Sequence, residues 1–345
     1  MPPVASPAAA LAWLDAELPT LVAVAAHAAD RGWPGHAIGL GATIFRYLDV
    51  GHFTAAAAVH GHARRAAARA GDRTAEAAAL TMLGTAEAAQ GRLRQATSHL
   101  EQALALCRAN GDKIGEARAL GNLGMADYCR GRYPQSAGCH RMALAIYTEA
   151  GDHAGEAREL HHLGVVDLRQ GSYKQAAGHL QRALALFRHE VGIYSGEAFV
   201  LGTLGELNLQ QGRYAEAAGQ LRQSLALGRE AGSRLCQAQA LACLGICELR
   251  QGSRRQAMDH LEQSLALHSQ ARNCSGQAEA LNSLGEALLA TSQAGEASAR
   301  HAAALALAIH CGDRREEARA RGGLARARQA ARDDGQDRNH QGVVG

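Results

Sequence analysis

"LGNLGMADYCRGRYPQSAG" (residues 120–138) returns as "LHHLGVVDLRQGSYKQAAG" at 160–178 and as "LGTLGELNLQQGRYAEAAG" at 201–219. A Leu-Gly pair anchors each copy. It recurs at 83/84, 123/124, 163/164, 204/205, 244/245 and 284/285, every forty residues with a single slip to forty-one. A second glycine follows seven residues after the first five of these, at Gly91, Gly131, Gly171, Gly212 and Gly252. Repetition at such a period marks a stacked array, whose size is counted in repeats rather than in globular domains.

Between these marks the pattern is helical. In "EARALGNLGMADYCR" apolar or small residues return at steps of three and four, and no alternating run suggests a strand. After the second glycine, "RYAEAAGQLRQSLALGREAG" (213–232) places Tyr214, Ala217, Ala218, Leu221, Leu225 and Leu227 on one face. Each unit is therefore a helical hairpin. The corners read "AGD", "NGD", "CGD" or "AGS", in which glycine stops one helix in the left-handed conformation and Asp or Ser caps the next. Glu76, Glu116, Glu156 and Glu197 then fall in a first turn, where the helix dipole favours them.

The glycine of Leu-Gly lies inside a helix, where it costs about 0.5–1 kcal/mol relative to alanine. Accepting that cost six times implies close approach of the two helices of a hairpin, with Ala96, Ala137, Ala177, Ala218 and Ala257 as the expected small surface opposite. The fold class expected is all-α: a right-handed α-solenoid of about seven hairpins with a period of about forty. Its divisions are an N-terminal helical extension (1–32), a degenerate first repeat (33–72), six full repeats (73–313), a capping helix (314–331) and a disordered tail (332–345). Pro19 is expected as a kink in the extension, and Thr43-Ile44 stands where the first repeat should carry Leu-Gly.

The Leu-Gly pairs, the early aromatic or Leu of the second helix (Tyr133, Tyr173, Tyr214) and the small–bulky–small run Ala96, Leu100, Ala103 resemble the tetratricopeptide repeat. The period exceeds the 34 residues common in that family, and the aromatic early in the first helix is replaced by Leu80, Leu120, Leu160, Leu201, Leu241 and Leu281. The opening segment "ALAWLDAELPTLVAVAAHAADRGWPGHAIGLGATIFRYLDVGHF", followed by "GEARALGNLG" and "HLQRALALFR" repeats, is similar to the C-terminal part of actinobacterial antibiotic-regulatory proteins. That second resemblance implies a module of a transcriptional regulator in which a DNA-binding part and an NTPase core precede the repeats. Neither is found in this sequence: there is no G-x-x-x-x-G-K-[ST], and the only lysines, Lys113 and Lys174, sit in "DKI" and "YKQ".

The charge balance is 36 Lys plus Arg against 33 Asp plus Glu. An excess of +3 is too small to track a phosphate backbone, so no direct nucleic-acid partner is expected. The seven arginines between 314 and 332 read as a solvated outer face of a terminal helix. "MPPVASPAAA" has no cationic start, and "LVAVAA" (21–26) is far shorter than the roughly 20 residues of a span. Neither a membrane partner nor a leader is expected, and the location expected is cytoplasmic. The eight cysteines lie in helical stretches and are expected to be reduced thiols.

Catalytic, cofactor and metal sites are all expected to be absent. Cys236, Cys243 and Cys247 share a helical face, but no fourth zinc ligand has a defined spacing to them. His99, His179 and His260 occupy one column of the second helices and read as repeat inheritance. His161 and His162 are adjacent and diverge by about 100°.

The candidate site is a partner-binding concave face. In a hairpin array the first helices line it, so residues two before, one after and four after each glycine share it. The face is expected to include Asn122, Met125, Tyr128, His162, Val165, Leu168, Arg169, Thr203, Glu206, Leu209, Ile246, Leu249, Arg250, Ser283 and Glu286. Apolar anchors beside small polar groups suit an amphipathic peptide or protein segment, although the column of leucines can equally pack neighbouring helices together. The function expected is a non-catalytic interaction scaffold linked to transcriptional control, with a free-standing receptor for a small signal peptide as the alternative. Oligomeric state is not legible.

Overall fold

Helix breaks fall where the corner chemistry requires them. Gly71, Gly111, Gly151, Gly192, Gly232 and Gly312 all have positive φ, as does Arg272, and at most of these corners the residue that follows caps the next helix. Asp72, Asp152, Ser233 and Asn273 accept backbone N–H bonds from Ala75, Gly155, Cys236 and Gly276.

The structure is a computed structural model. It describes residues 7–48, 51–192 and 194–342, and the side chains of 9–48, 51–192 and 194–333. Among the described residues the chain forms sixteen helices and no strand. They are α1 (Pro7–Asp30), α2 (Pro34–Leu48), α3 (Phe53–Ala70), α4 (Arg73–Ala89), α5 (Leu93–Asn110), α6 (Lys113–Cys129), α7 (Tyr133–Ala150) and α8 (His153–Arg169). The remainder are α9 (Tyr173–Leu186), α10 (Tyr194–Gln210), α11 (Tyr214–Glu230), α12 (Arg234–Arg250), α13 (Arg254–Gln270), α14 (Cys274–Leu289), α15 (Ala294–Cys311) and α16 (Arg314–Gly342). From α2 to α15 they alternate as seven successive helix pairs. The slip from forty to forty-one residues is taken up by a π turn, Phe187–Val191, at the end of α9, which absorbs the extra residue without breaking the helix.

The chain divides into two compact units, residues 1–127 with 134–150, and residues 128–133 with 151–345. In the first, α1 is a single helix with Pro19 inside it. Its stretch Ala9–Asp30, with mean hydropathy 1.4, is apolar and long enough by composition alone to cross a membrane. On one side Leu14, Leu18, Leu21 and Val22 pack on the cluster of Ile44, Tyr47, Leu48 and Val59, and Tyr47 donates to Asp15 at 2.7 Å, while Leu11, Trp13 and Val24 are exposed.

The Leu-Gly seam is present in both units. A Cβ at Gly84, Gly164, Gly205 or Gly245 would lie 2.6–2.7 Å from Cγ of Leu100, Leu180, Leu221 or Leu261. At Gly124 and Gly285 the same place is taken by the rings of His140 and His301. The small residues opposite differ in part from the expectation. Ala96 and Ala257 are correct, but Ala176 and Ala217, not Ala177 and Ala218, bring their carbonyls to Gly164 and Gly205. These residues lie four before the seam leucine, one helical turn away, which makes Ser136 rather than Ala137 the match for His140. In the first hairpin Gly41, not the Thr43-Ile44 position, approaches the second helix, against His60, Val59 and Ala63.

At the far end α16 continues to Gly342, through residues expected to be a disordered tail. No proline interrupts this run, although its aspartates, asparagine and glycines are weak helix formers. Residues 343–345 lie outside the described residues.

Candidate functional site

The second unit carries a ladder of polar side chains on the inner faces of its first helices. At one end Arg169, the last residue of α8, donates from Nε to the Tyr128 hydroxyl at 2.8 Å and from Nη1 to Glu206 on α10. Arg169 and Glu206 keep only 13% and 12% of their side-chain surface. Burial opposes the charge on Arg169, but Glu206 and Tyr128 outweigh it and the guanidinium is held more firmly protonated than usual. Beside this pair, His161 Nε2 meets Thr203 Oγ1 at 2.9 Å, and Thr203 also donates to the Phe199 carbonyl.

At the other end Arg319 of α16 reaches back to α14. It donates to both carboxylate oxygens of Glu286 at 2.9 and 2.8 Å and to Ser283 Oγ at 3.0 Å. Glu316, also on α16, accepts from Asn282 Nδ2 at 2.9 Å, and His301 Nδ1 meets Asn282 Oδ1 at 2.9 Å. The two carboxylates respond oppositely. Burial raises Glu286, but the Arg319 hydrogen bond and charge bring it below the ordinary value. Burial and the nearby Glu279 leave Glu316 above it.

Glu279 lies between these ends. Among the described residues its carboxylate has no direct hydrogen bond or ion pair. Burial pushes its pKa up, yet the field of Arg315, Arg169 and Arg319 holds it below the ordinary value. Cys129 is exposed, but burial, with Asp313 adding, pushes its thiol up to about 11. Burial also raises the Tyr128 hydroxyl, against the pull of Arg169 and Arg315. Residues on α6, α8, α14 and α16 thus share one electrostatic environment within the second unit.

The expected site residues divide into three groups. Tyr128, Arg169, Thr203, Glu206, Ser283 and Glu286 join the polar ladder. Asn122 and Met125, in the first unit, and His162, Val165 and Ile246 are half-buried, while Arg250 is exposed. The leucines form the third group, two of them, Leu209 and Leu249, half-buried. Leu168 is only 2% exposed, Leu209 packs on the Leu221–Leu244 cluster and Leu249 on the Leu261–Leu284 cluster. Of the three, only Leu168 is enclosed between neighbouring helices.

One of the seven α16 arginines departs from the solvated-face reading, while the other six are exposed. Arg319 is 21% exposed and faces the ladder rather than solvent. The signal missed is a column six residues before each glycine, one turn earlier than the columns considered. It holds Arg118, Arg158, Phe199, Gln239, Glu279 and, at the next step of forty, Arg319.

Outside this face the second helices carry a repeated staple: His99 to Glu87 at 2.7 Å, His179 to Asp167 at 2.8 Å and His260 to Glu248 at 2.8 Å. These histidines have a structural role in each copy. Cys236, Cys243 and Cys247 are buried within α12, and burial raises each thiol.

Stacked helical hairpins with a side-chain-lined inner face define a tetratricopeptide-type solenoid. The sequence profile of the tetratricopeptide repeat matches residues 115–189 and 194–270, and a second profile of the same repeat matches 77–110. Together they cover more than half of the chain, which belongs to the tetratricopeptide repeat family.

No curated protein matches the chain in sequence. Among solved structures, it is similar to a Rap protein complexed with competence and sporulation factor, with TM-score 0.56 and 15% identity over 94% of this chain and 99% of that one. The Rap conjugation gene regulator of plasmid pLS20, in complex with the Phr* peptide, gives TM-score 0.62 and 15% identity over 87% and 73%. Aspartyl phosphate phosphatase F from Bacillus subtilis gives 0.55 and 13% over 91% and 94%. At these identities the likeness is one of fold.

Proposed function

We propose that this protein is a non-catalytic receptor whose second unit binds a short peptide along the inner faces of α8, α10, α12, α14 and α16. The observation that carries the reading is Glu279. It is a carboxylate without a direct partner, held ionised among three arginines, on a face whose other polar groups are already fixed by one another. Fixed dipoles and charges can recognise an extended chain through its amides and side chains with little reorganisation on binding.

Two of the similar structures hold a signalling factor or peptide, which supports the receptor reading over that of a general docking scaffold. A fold by itself does not determine function. The regulatory setting we infer, control of transcription, rests on the resemblance of the opening segment to antibiotic-regulatory proteins. One neighbour is named a phosphatase; our reading assigns no catalytic residue to this chain.

The test is selection from a display library of short random peptides against the intact chain, followed by calorimetry on the enriched sequences. The expected result is a shared motif binding at one site, weakened at least tenfold by Glu279→Gln. Failure to enrich any motif, or equal affinity for the variant, refutes the receptor reading.

A further inference from the structure

In a repeat protein the informative residues are those that leave their column. The first residue of each first helix reads Arg73, Lys113, His153, Tyr194 and Arg234, and then Cys274. The residue before each closing corner reads Ala70, Asn110, Ala150, Val191, Ala231 and Ala271, and then Cys311. Both columns turn to cysteine in the same hairpin. They are also columns that meet, because the start of a first helix and the end of its antiparallel second helix lie side by side.

The structure brings the two thiols together at the open end of the α14–α15 hairpin. Both side chains are half-buried. Cys274 Sγ lies 3.4 Å from the Leu307 carbonyl, one turn before Cys311, and Cys311 Sγ lies 3.8 Å from the Ala308 carbonyl. Burial, and then the hydrogen bond of the Cys311 thiol to Cys274, push Cys311 up to about 12. Cys311 thus stays protonated at neutral pH and is the poorer nucleophile of the two-cysteine site. None of the other six cysteines is paired in this way: Cys236, Cys243 and Cys247 are enclosed in α12, Cys107 in α5, and Cys129 and Cys139 stand apart on α6 and α7.

The corner beside this pair sets the start of α16. Gly312 has φ 72°, Asp313 accepts from the Glu316 amide at 3.0 Å, and Ser275, next to Cys274, donates to Asp313. The same helix then delivers Arg315 and Arg319 to the inner face.

We propose that Cys274 and Cys311 form a reversible disulfide, made by a peroxide, that fastens the start of α14 to the corner leading into α16. Cys274 thiolate attacks one peroxide oxygen, the O–O bond breaks, and a sulfenic acid and one water result. Cys311 sulfur attacks the sulfenic sulfur, releasing the second water. Two S–H bonds are lost, one S–S bond forms, and the two electrons reduce hydrogen peroxide to water. A dithiol reverses the change by exchange. This site stands independently of the peptide reading.

The test treats the intact folded chain with hydrogen peroxide at neutral pH, caps remaining thiols with N-ethylmaleimide and maps linked peptides by mass spectrometry. The expected product joins Cys274 to Cys311, disappears with dithiothreitol and is absent from Cys311→Ser. Its unfolding midpoint is expected to rise by roughly 5 °C. Capping of both residues at doses that oxidise the exposed Cys129 overturns the proposal. So does any other dominant pairing, or a Cys274–Cys311 link that appears only in denaturant. A link that lowers the midpoint overturns the claim that the corner accepts the bond.

Discussion

Arg169 joins three first helices through one guanidinium, donating to Tyr128 on α6 at 2.8 Å and to Glu206 on α10 from its own place at the end of α8. Removing it leaves the Glu206 carboxylate enclosed without its cation. Arg169→Met is therefore expected to cost about 3 kcal/mol in urea unfolding, because an uncompensated buried charge is the main penalty. Adding Glu206→Gln to that variant should restore most of the loss. If the double variant is as unstable as the sum of the singles, the two side chains do not act as a pair.

The seam makes a size prediction. A methyl at Gly164 would sit 2.6 Å from Leu180 Cγ and 2.7 Å from Cδ2, so the usual helix gain of Gly→Ala is outweighed by overpacking. Gly164→Ala should lose about 1–3 kcal/mol and Gly164→Leu more. Gly205→Leu should behave like Gly164→Leu, since Leu221 Cγ is equally close. Gln211→Leu, on an exposed residue, should stay within about 0.5 kcal/mol. Pairing Gly164→Ala with Leu180→Ala should recover part of the loss, and equal melting points for Gly164→Leu and Gln211→Leu would contradict the seam.

The hairpins, corners, caps and seam glycines were legible because each repeats, and repetition separates a structural demand from chance. What the period could not resolve was the choice between adjacent small residues. Ala176 and Ala177 both fit a column, and only counting one turn back from Leu180 selects the first. The extra residue of the longer repeat was countable, but its placement in a π turn was not. Helical spacing puts Tyr128 and Glu206 in the columns beside the seam glycines, and Arg169 next to one of them. Glu279 and Arg319 sit one turn earlier along their helices, and in one dimension Arg319 is indistinguishable from the solvated arginines around it. Leu168 was ambiguous in the sequence, since a leucine stripe serves a groove or a helix seam equally well.

Glu286 and Glu316 give the C-terminal network a pH signature of mixed sign. Glu286 is held below the ordinary value of 4.5, chiefly by Arg319 acting against burial. Its contribution is present above that value and is lost as pH falls through the lower folded-state pKa. Glu316 is raised by burial and by Glu279, so its contribution is present below 4.5 and is lost as pH rises through its folded-state pKa. Glu286→Gln should therefore lower the urea midpoint at neutral pH and approach the parent at strongly acid pH. For Glu316→Gln the proton-linked part runs the other way: relative to the parent it should be more favourable at neutral than at acid pH. Parallel pH profiles for the two variants would contradict this assignment.

Core and groove can be told apart by one pair of substitutions on the same face. Leu168 is enclosed, so Leu168→Asp places a carboxylate among helices with no partner and should unfold the second unit, seen as loss of cooperative melting. Any loss of binding in that variant would then report folding, not contact. Glu279 is half-buried and its carboxylate has no direct hydrogen bond among the described residues, so Glu279→Gln keeps shape and removes only charge. Its circular dichroism and melting cooperativity should match the parent, while affinity for peptides selected on the parent falls at least tenfold. Glu279→Asp, which retains the charge on a shorter stem, should bind between the two. A folded, cooperative Leu168→Asp would return that residue to the groove, and a Glu279→Gln variant that binds as tightly as the parent would remove Glu279 from it.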